Sequence, residues 1–268
     1  MNPVAVAFGA HEHSTPPLRW AGALAKALDA PLRVLSVVAP TSSEAPPEYF
    51  DELDDQRRAQ IAADLSEAGI EGAEVVVMNE ASPLAAVAAY AEEHDLAACI
   101  VGSPQQAGLG EGNPAHYLLH HTHTPVAMVD DDNHSLDGGI YVVGVEATGN
   151  VSPALAMASK LAEATGGSVH AVHAYESLSE DEAERFREIE ADLSSRVSAP
   201  LQFLPLAGHP AGVVLEHAEQ AGAAAILTGS RGSGGFRGLK LGRVPSQLLN
   251  HAACPVIVIP HTDETPEA

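Results

Sequence analysis

The chain repeats one pattern of predicted strands and helices twice, with a repeat length of about 130 residues. Two pairs of segments show the repeat most clearly. Cys99–Ser103 resembles Ile226–Ser230, and Tyr117–Val126 resembles Gln247–Val256. Within each copy, apolar runs of strand length alternate with segments of helical spacing, a pattern typical of parallel strands joined by crossover helices. The sequence therefore predicts an α/β fold with two tandem domains, each a parallel, doubly wound sheet flanked by helices.

Five strands and four helices are predicted in each copy. The predicted strands cover residues 4–8, 31–38, 73–78, 97–102 and 125–129, then 140–145, 168–174, 201–206, 223–228 and 255–259. The predicted helices cover residues 16–28, 48–67, 83–94 and 114–121, then 152–165, 179–197, 210–221 and 244–251. The segment 131–138 is acidic and has no periodicity, so we predict a linker between a domain at 1–130 and a domain at 139–268.

A glycine-rich loop follows the fourth predicted strand of the second copy and precedes a predicted helix. Glycines stand at positions 229, 232, 234, 235, 238 and 242. Four cations accompany them, namely Arg231, Arg237, Lys240 and Arg243. Glycines let backbone N–H groups approach a ligand, and a helix N-terminus adds unpaired donors and the positive end of the helix dipole. This combination predicts an anion site, and a phosphate is the expected anion.

The overall charge argues against several classes of partner. The chain carries 36 acidic and 13 basic residues, for a net charge of −23. Bulk binding to nucleic acid or to an anionic membrane requires an excess of Lys and Arg, so neither is expected. No N-terminal basic-plus-apolar signal is present, and no apolar run approaches the ~18 residues of a membrane span. With Cys99 and Cys254 interpreted as free thiols, these features predict a cytoplasmic protein.

The loop and the segment that follows it resemble a known family. The spacing Gly229-x2-Gly232-x9-Gly242, followed by a helix that runs into His251–Val256, is similar to the universal stress protein family. Both copies fit that family's layout, so the resemblance covers nearly the full length. It implies a five-stranded parallel sheet of order 3-2-1-4-5 in each domain. It also implies ATP, or AMP or ADP in its place, with Mg²⁺ as an accompanying ion, at the carboxyl ends of the strands.

The resemblance places the nucleotide site in the second copy. The matching positions are Glu146, Ala174, Thr228, Gly229, Arg231, Gly232, Gly242, Arg243, Val244 and Ser246. Two kinds of departure stand out. Glu146 replaces the family's aspartate at the end of the first strand, where a carboxylate accepts hydrogen bonds from ribose hydroxyls. Arg243 replaces the usual hydroxyl residue after the last glycine, and Pro245 removes one N–H from the helix start.

The first copy has lost these features. Gly9 stands where the acidic residue is expected, and the loop from Gly102 to Asn113 is three residues shorter than its counterpart. Pro104 removes a donor, Gln105 replaces the second glycine, and the loop contains no Lys or Arg. We therefore predict that the domain at 1–130 does not bind nucleotide. Family resemblance implies that it pairs with the second domain through the fifth strands, as a built-in dimer partner, and a homodimer of the tandem chain is a further alternative.

A histidine cluster and two charge-rich helices are the remaining candidate functional features. His116, His120 and His123 lie on one predicted helix and at its end, and a metal site there would need further ligands that the sequence does not show. We interpret them as polar residues at a surface or interface. The charge-rich helices at 48–67 and 180–192 are predicted to have solvated faces, with contacts to a partner as the alternative.

The leading hypothesis is a tandem universal stress protein that binds ATP in its second domain for a sensing or regulatory role. No positioned general base is recognisable, so at most slow ATP hydrolysis is expected. The alternative is a nucleotide-free interaction protein in which Arg243 and Pro245 close the site. A third hypothesis is an adenylating enzyme related to the ATP-cleaving enzymes that have a Ser-Gly-Gly loop. That loop follows the first strand in those enzymes, however, whereas Ser233–Gly235 follows the fourth.

Overall fold

A computed structural model describes residues 2–9, 15–38, 47–103, 113–130, 132–177, 180–231 and 240–261. The chain divides into two compact units, Met1–His134 and Ser135–Ala268. Strands and helices alternate in both, as the sequence pattern predicts. No helix in these described ranges combines the length and the apolar character needed to cross a lipid bilayer.

The N-terminal unit contains, in chain order, β1 (Val4–Ala7), α1 (Thr15–Leu28), β2 (Leu32–Val38), α2 (Pro47–Ala68), β3 (Glu74–Asn79), α3 (Pro83–Glu93), β4 (Ala98–Gly102), α4 (Pro114–His121) and β5 (Val126–Val129). Its strands pair in the order β3-β2-β1-β4-β5, and the pairs are parallel. The C-terminal unit contains β6 (Ile140–Gly144), α5 (Pro153–Thr165), β7 (Ser168–Tyr175), α6 (Glu180–Arg196), β8 (Leu201–Ala207), α7 (Pro210–Ala221), β9 (Ala225–Gly229), α8 (Arg243–His251) and β10 (Val256–Ile259). Its parallel order is β8-β7-β6-β9-β10. Counted within each unit, both orders are 3-2-1-4-5, so the predicted fold is confirmed.

The central strands are apolar because helices cover both faces of a doubly wound sheet. Val4, Val142 and Ile226 have no exposed surface. In the C-terminal unit α5 packs on β6, β7 and β9, while α7 packs on β6 and β7 and against α8. The Cys99 thiol is fully buried in β4 and is not part of a disulfide, and burial raises its pKa to about 12.

Strand register gives the equivalent positions in the two units. Val4 pairs with Leu32, and in the C-terminal unit Tyr141 pairs with Val169. The first strands are then followed by Phe8-Gly9 and by Val145-Glu146, respectively. On the second strands the same register makes Ser36 the counterpart of His173.

Helix starts in this chain follow local rules of capping and proline placement. Proline occupies the first turn after the N-cap residues Ser82, Asn113 and Ser152. The Asn113 side chain accepts hydrogen bonds from two N–H groups of α4, and the Ser152 hydroxyl accepts one from α5. Ser82 occupies the N-cap position of α3, but its side chain accepts no such bond.

Candidate functional site

The carboxyl ends of β6 and β9 lie side by side in the C-terminal unit. The two strands are parallel, and Val143 is in register with Leu227. The chain runs from β6 to β7 and β8 on one side of β6 and then returns to β9 on its other side. Ligands of open α/β sheets bind at such a reversal of strand order, outside the carboxyl ends of the strands. The topology therefore makes the residues after β6 and β9 the candidate ligand site.

The start of α8 is held against the end of β9. The Gly242 N–H donates to the Ser230 carbonyl at 2.7 Å, and Gly242 is the N-cap residue of α8. A Cβ on Gly242 would lie 3.4 Å from the Ser230 carbonyl oxygen, and a Cβ on Gly229 would lie 3.2 Å from the carbonyl oxygen of Arg231. Neither glycine has a positive φ. Close approach of backbone to backbone therefore explains Gly229, whereas a Cβ on Gly242 would make an ordinary van der Waals contact.

The first turn of α8 provides backbone donors that have no acceptor within the helix. Arg243 and Val244 are its first two residues, and N–H groups at these positions have no partner within a helix. Pro245 is the third helical residue and is buried. Because this position also lacks an intrahelical partner, proline removes one donor without breaking the helix. The Ser246 N–H is already used, since it donates to the Gly242 carbonyl at 3.2 Å.

Positive charge surrounds this helix start. Arg243 and Lys240 are exposed, and Arg231 is half-buried. The first turn of α8 contains no acidic residue. Gly232 and Arg237 lie outside the described residues.

The other predicted site residues lie at the ends of β6, β7 and β9. Glu146 is exposed two residues after β6, and its carbonyl accepts the Thr148 N–H at 2.8 Å. Ala174 is half-buried near the end of β7. Thr228 is buried in β9, and its hydroxyl donates to the Gly229 carbonyl at 3.3 Å. Seven of the predicted site residues thus lie at one strand–helix junction, namely Thr228, Gly229, Arg231, Gly242, Arg243, Val244 and Ser246. Glu146 follows β6 and Ala174 lies in β7, the two strands next to β9 in sheet order.

Sequence reasoning overlooked two polar side chains at the strand ends. His173 in β7 contacts the Val145 carbonyl, with Nδ1 3.1 Å from the oxygen. Arg57 in α2 of the N-terminal unit contacts the carbonyls of Phe8 and Gly9, the residues that follow β1. A charged residue in a polar helix carries no signal of burial in the sequence, so nothing there pointed to Arg57.

The histidines of α4 are not brought together as a metal site within the described ranges. His116 is half-buried, and burial lowers its pKa, with a further lowering from nearby His120. His123 instead lies against Glu92, with Nδ1 3.3 Å from Oε1.

One group of potential metal ligands is found elsewhere. Donor atoms of Asp130, Asp132 and His134 lie within 4.8 Å of one another. A hydrogen bond of 2.7 Å between His134 Nε2 and Asp130 Oδ1 accounts for this proximity without an ion.

Comparison with known proteins decides the family. The sequence model of the universal stress protein family matches residues 1–130 and again residues 141–260. The chain belongs to the universal stress protein family. Because the match occurs twice, the chain is a tandem universal stress protein, as its internal repeat predicts.

Individual relatives of this tandem universal stress protein agree with the assignment. The universal stress protein YxiE of Bacillus subtilis is 36% identical over 52 residues, which cover 19% of this chain. The match spans only 35% of the length of that relative. A universal stress protein structure from Archaeoglobus fulgidus is 20% identical, covers 97% of both chains and has a TM-score of 0.69, which supports the fold alone.

A further solved relative contains an adenine nucleotide. It is the Archaeoglobus fulgidus universal stress protein in complex with dAMP, which aligns with 48% of this chain and 97% of its own. Its sequence identity to this chain is 19%, and its TM-score is 0.37.

Proposed function

We propose that the C-terminal unit binds an adenine nucleotide, with ATP as the first candidate, and that binding serves a sensing or regulatory role. The observation that carries this proposal is the 2.7 Å hydrogen bond between the Gly242 N–H and the Ser230 carbonyl. It holds the start of α8 at the end of β9, beside the reversal of strand order. The helix start offers N–H groups without an acceptor inside the helix and the positive end of the helix dipole, which together suit a phosphate.

Each part of the nucleotide has a matching group in this proposal. Phosphate oxygens would accept from the N–H groups of Arg243 and Val244 and from the Arg243 guanidinium. Glu146 is the one carboxylate among the predicted site residues, and it would accept hydrogen bonds from the ribose hydroxyls. The backbone near Ala174 would contact the base. Mg²⁺ would bind chiefly through phosphate oxygens and water, as that ion commonly does.

Binding without rapid turnover is the expected chemistry. Phosphoryl transfer needs a residue that orients the attacking nucleophile close to the phosphate. No carboxylate or histidine lies in the first turn of α8. We therefore propose a ligand-responsive protein with at most slow ATP hydrolysis.

Titration of the full-length chain with ATP, ADP, AMP and cAMP tests the proposal. Arg243→Glu should weaken ATP binding by at least about tenfold, because a hydrogen bond to a charged group contributes roughly 1.5–3 kcal/mol. Arg19→Glu is the matched control, since it reverses an exposed arginine in the N-terminal unit and should leave ATP binding unchanged. Equal loss in both variants would indicate a nonspecific charge effect and would contradict the assigned site.

The same preparation separates the alternative functions. Absence of ATP binding at millimolar concentration, together with no thermal shift, would refute the proposal and favour the nucleotide-free interaction protein. Release of pyrophosphate on addition of an acceptor would instead favour an adenylating enzyme.

A further inference from the structure

Arg57 of the N-terminal unit is a charged side chain with unusually little exposure. Only 5% of its surface is accessible, although α2 is a charge-rich helix. Removing a guanidinium from water is costly unless hydrogen bonds replace its hydration. The partners of Arg57 therefore show what holds it in this position.

Every nitrogen of the Arg57 guanidinium donates to the protein. Nε donates to the Ser36 hydroxyl at 2.8 Å, and Nη1 donates to Gln60 Oε1 at 3.0 Å. Nη2 donates to the Phe8 carbonyl at 3.3 Å and also to the Gly9 carbonyl. The guanidinium carbon lies 5.4 Å from the centroid of the Phe8 ring, within the range of a cation–π contact.

Three of these acceptors lie at the carboxyl ends of two neighbouring strands, while Gln60 lies on α2 itself. Phe8 and Gly9 directly follow β1, and Ser36 is near the end of β2. Strand order in this unit reverses between β1 and β4, so the crevice of a doubly wound sheet opens at the end of β1. Arg57 thus places a cation where a ligand of this fold would meet the end of the first strand.

The C-terminal unit satisfies the equivalent carbonyls in another way. The Val145 carbonyl is contacted by His173, the counterpart of Ser36, and the Glu146 carbonyl accepts the Thr148 N–H. An arginine of α6, Arg185, donates to the Ala147 carbonyl at 3.1 Å and is exposed. Among the described residues of this unit, no buried arginine lies at the ends of β6 and β7.

We infer that Arg57 is the internal occupant of the N-terminal crevice, so that the tandem chain takes up one nucleotide, in its C-terminal unit. The stoichiometry rests on the proposed function, whereas the position of Arg57 does not. The duplicated crevices thus differ in occupant, one holding a side chain of the protein and the other open to a diffusible ligand.

Chemical footprinting tests the position of Arg57 without any nucleotide. Phenylglyoxal modifies accessible arginines, and mass spectrometry of the native full-length chain reports the rate at each one. Modification of Arg57 should be at least about tenfold slower than that of exposed Arg19, because the reagent must wait for local opening. Equal rates at the two positions would overturn the inference.

A rescue experiment tests whether the space left by Arg57 recognises a guanidinium. Ethylguanidinium at millimolar concentration should raise the melting temperature of Arg57→Ala by at least about 2 °C, while ethylammonium should not. Arg58→Ala is the matched control, because Arg58 is exposed, follows Arg57 on the same helix and donates to the Val75 carbonyl. A rise of the same size in both variants, or in neither, would contradict the inference. If Arg57→Ala does not fold, footprinting of the wild type decides.

Equilibrium dialysis of the full-length chain with labelled ATP measures the stoichiometry. One nucleotide per chain is expected, and loss of that nucleotide in Arg243→Glu would locate it in the C-terminal unit. Two nucleotides per chain would refute the inference while upholding nucleotide binding. A chain that binds none would refute the proposed function, and footprinting would then test Arg57 alone.

Discussion

A histidine pair between β7 and α7 should make the stability of the C-terminal unit depend on pH. His170 Nδ1 and His217 Nε2 lie 2.9 Å apart, and both rings are half-buried. One nitrogen must donate a proton and the other must offer a lone pair, so the bond is lost when both rings are protonated. Burial lowers the pKa of both histidines, and the proximity of His217 lowers that of His170 further.

The direction of the effect follows from proton linkage. The unfolded chain has histidine pKa values near 6.5, whereas the folded values are lower. As pH falls below about 6.5, the unfolded state binds more protons than the folded state, so the free energy of unfolding decreases. Each histidine that is protonated only when unfolded contributes at most about 1.4 kcal/mol per pH unit, so the pair contributes at most about 2.7 kcal/mol per pH unit. Above pH 7.5 the contribution to the slope should be close to zero.

Urea unfolding between pH 5 and pH 8 measures this slope, and the double variant His170→Gln/His217→Gln isolates the pair. The variant should lose stability less steeply than the wild type below about pH 6.5. His251→Gln, which changes an exposed histidine of the same unit, serves as control and should retain the wild-type slope. Parallel curves for the double variant and the wild type would show that the two rings do not titrate differently on folding, and the reasoning would fail.

Two pairs of matched substitutions test the packing and the helix starts. Gly167→Ala should lower the free energy of unfolding by several kcal/mol, because the new Cβ would meet the Gly139 carbonyl oxygen at a distance that no side chain tolerates. Gly212→Ala in α7 has open space around the new Cβ and should raise the free energy of unfolding by up to about 1 kcal/mol. Thermal melts of both variants should shift in opposite directions, and shifts of the same sign would contradict the geometry. Ser152→Ala should cost about 1 kcal/mol because it removes a cap hydrogen bond, while Ser82→Ala should cost less because no such bond is present. Equal losses in denaturant unfolding would show that the two caps do not differ.

Local sequence patterns predict the order of strands and helices in this chain. Short apolar runs, helical spacing and glycines after the strands are patterns among residues close in sequence. The order of strands and helices and the duplication can therefore be predicted from the sequence alone. Val4, Val142 and Ile226 are apolar in sequence and fully buried in the sheets, as a two-sided parallel sheet requires. The glycine-rich loop likewise indicates a strand followed by a helix start, and Gly242 occupies that start.

Contacts between distant elements do not follow from local patterns. The helix at 48–67, whose charge-rich face is predicted to be solvated, nevertheless buries Arg57, because residues that follow β1 provide carbonyl acceptors 48 and 49 positions away in the chain. His170 and His217 become a pair only because α7 packs on β7. Hydrophobic spacing specifies which face of an element is buried, but the burial of a charged or titratable group depends on acceptors supplied by other elements once the crossovers are made.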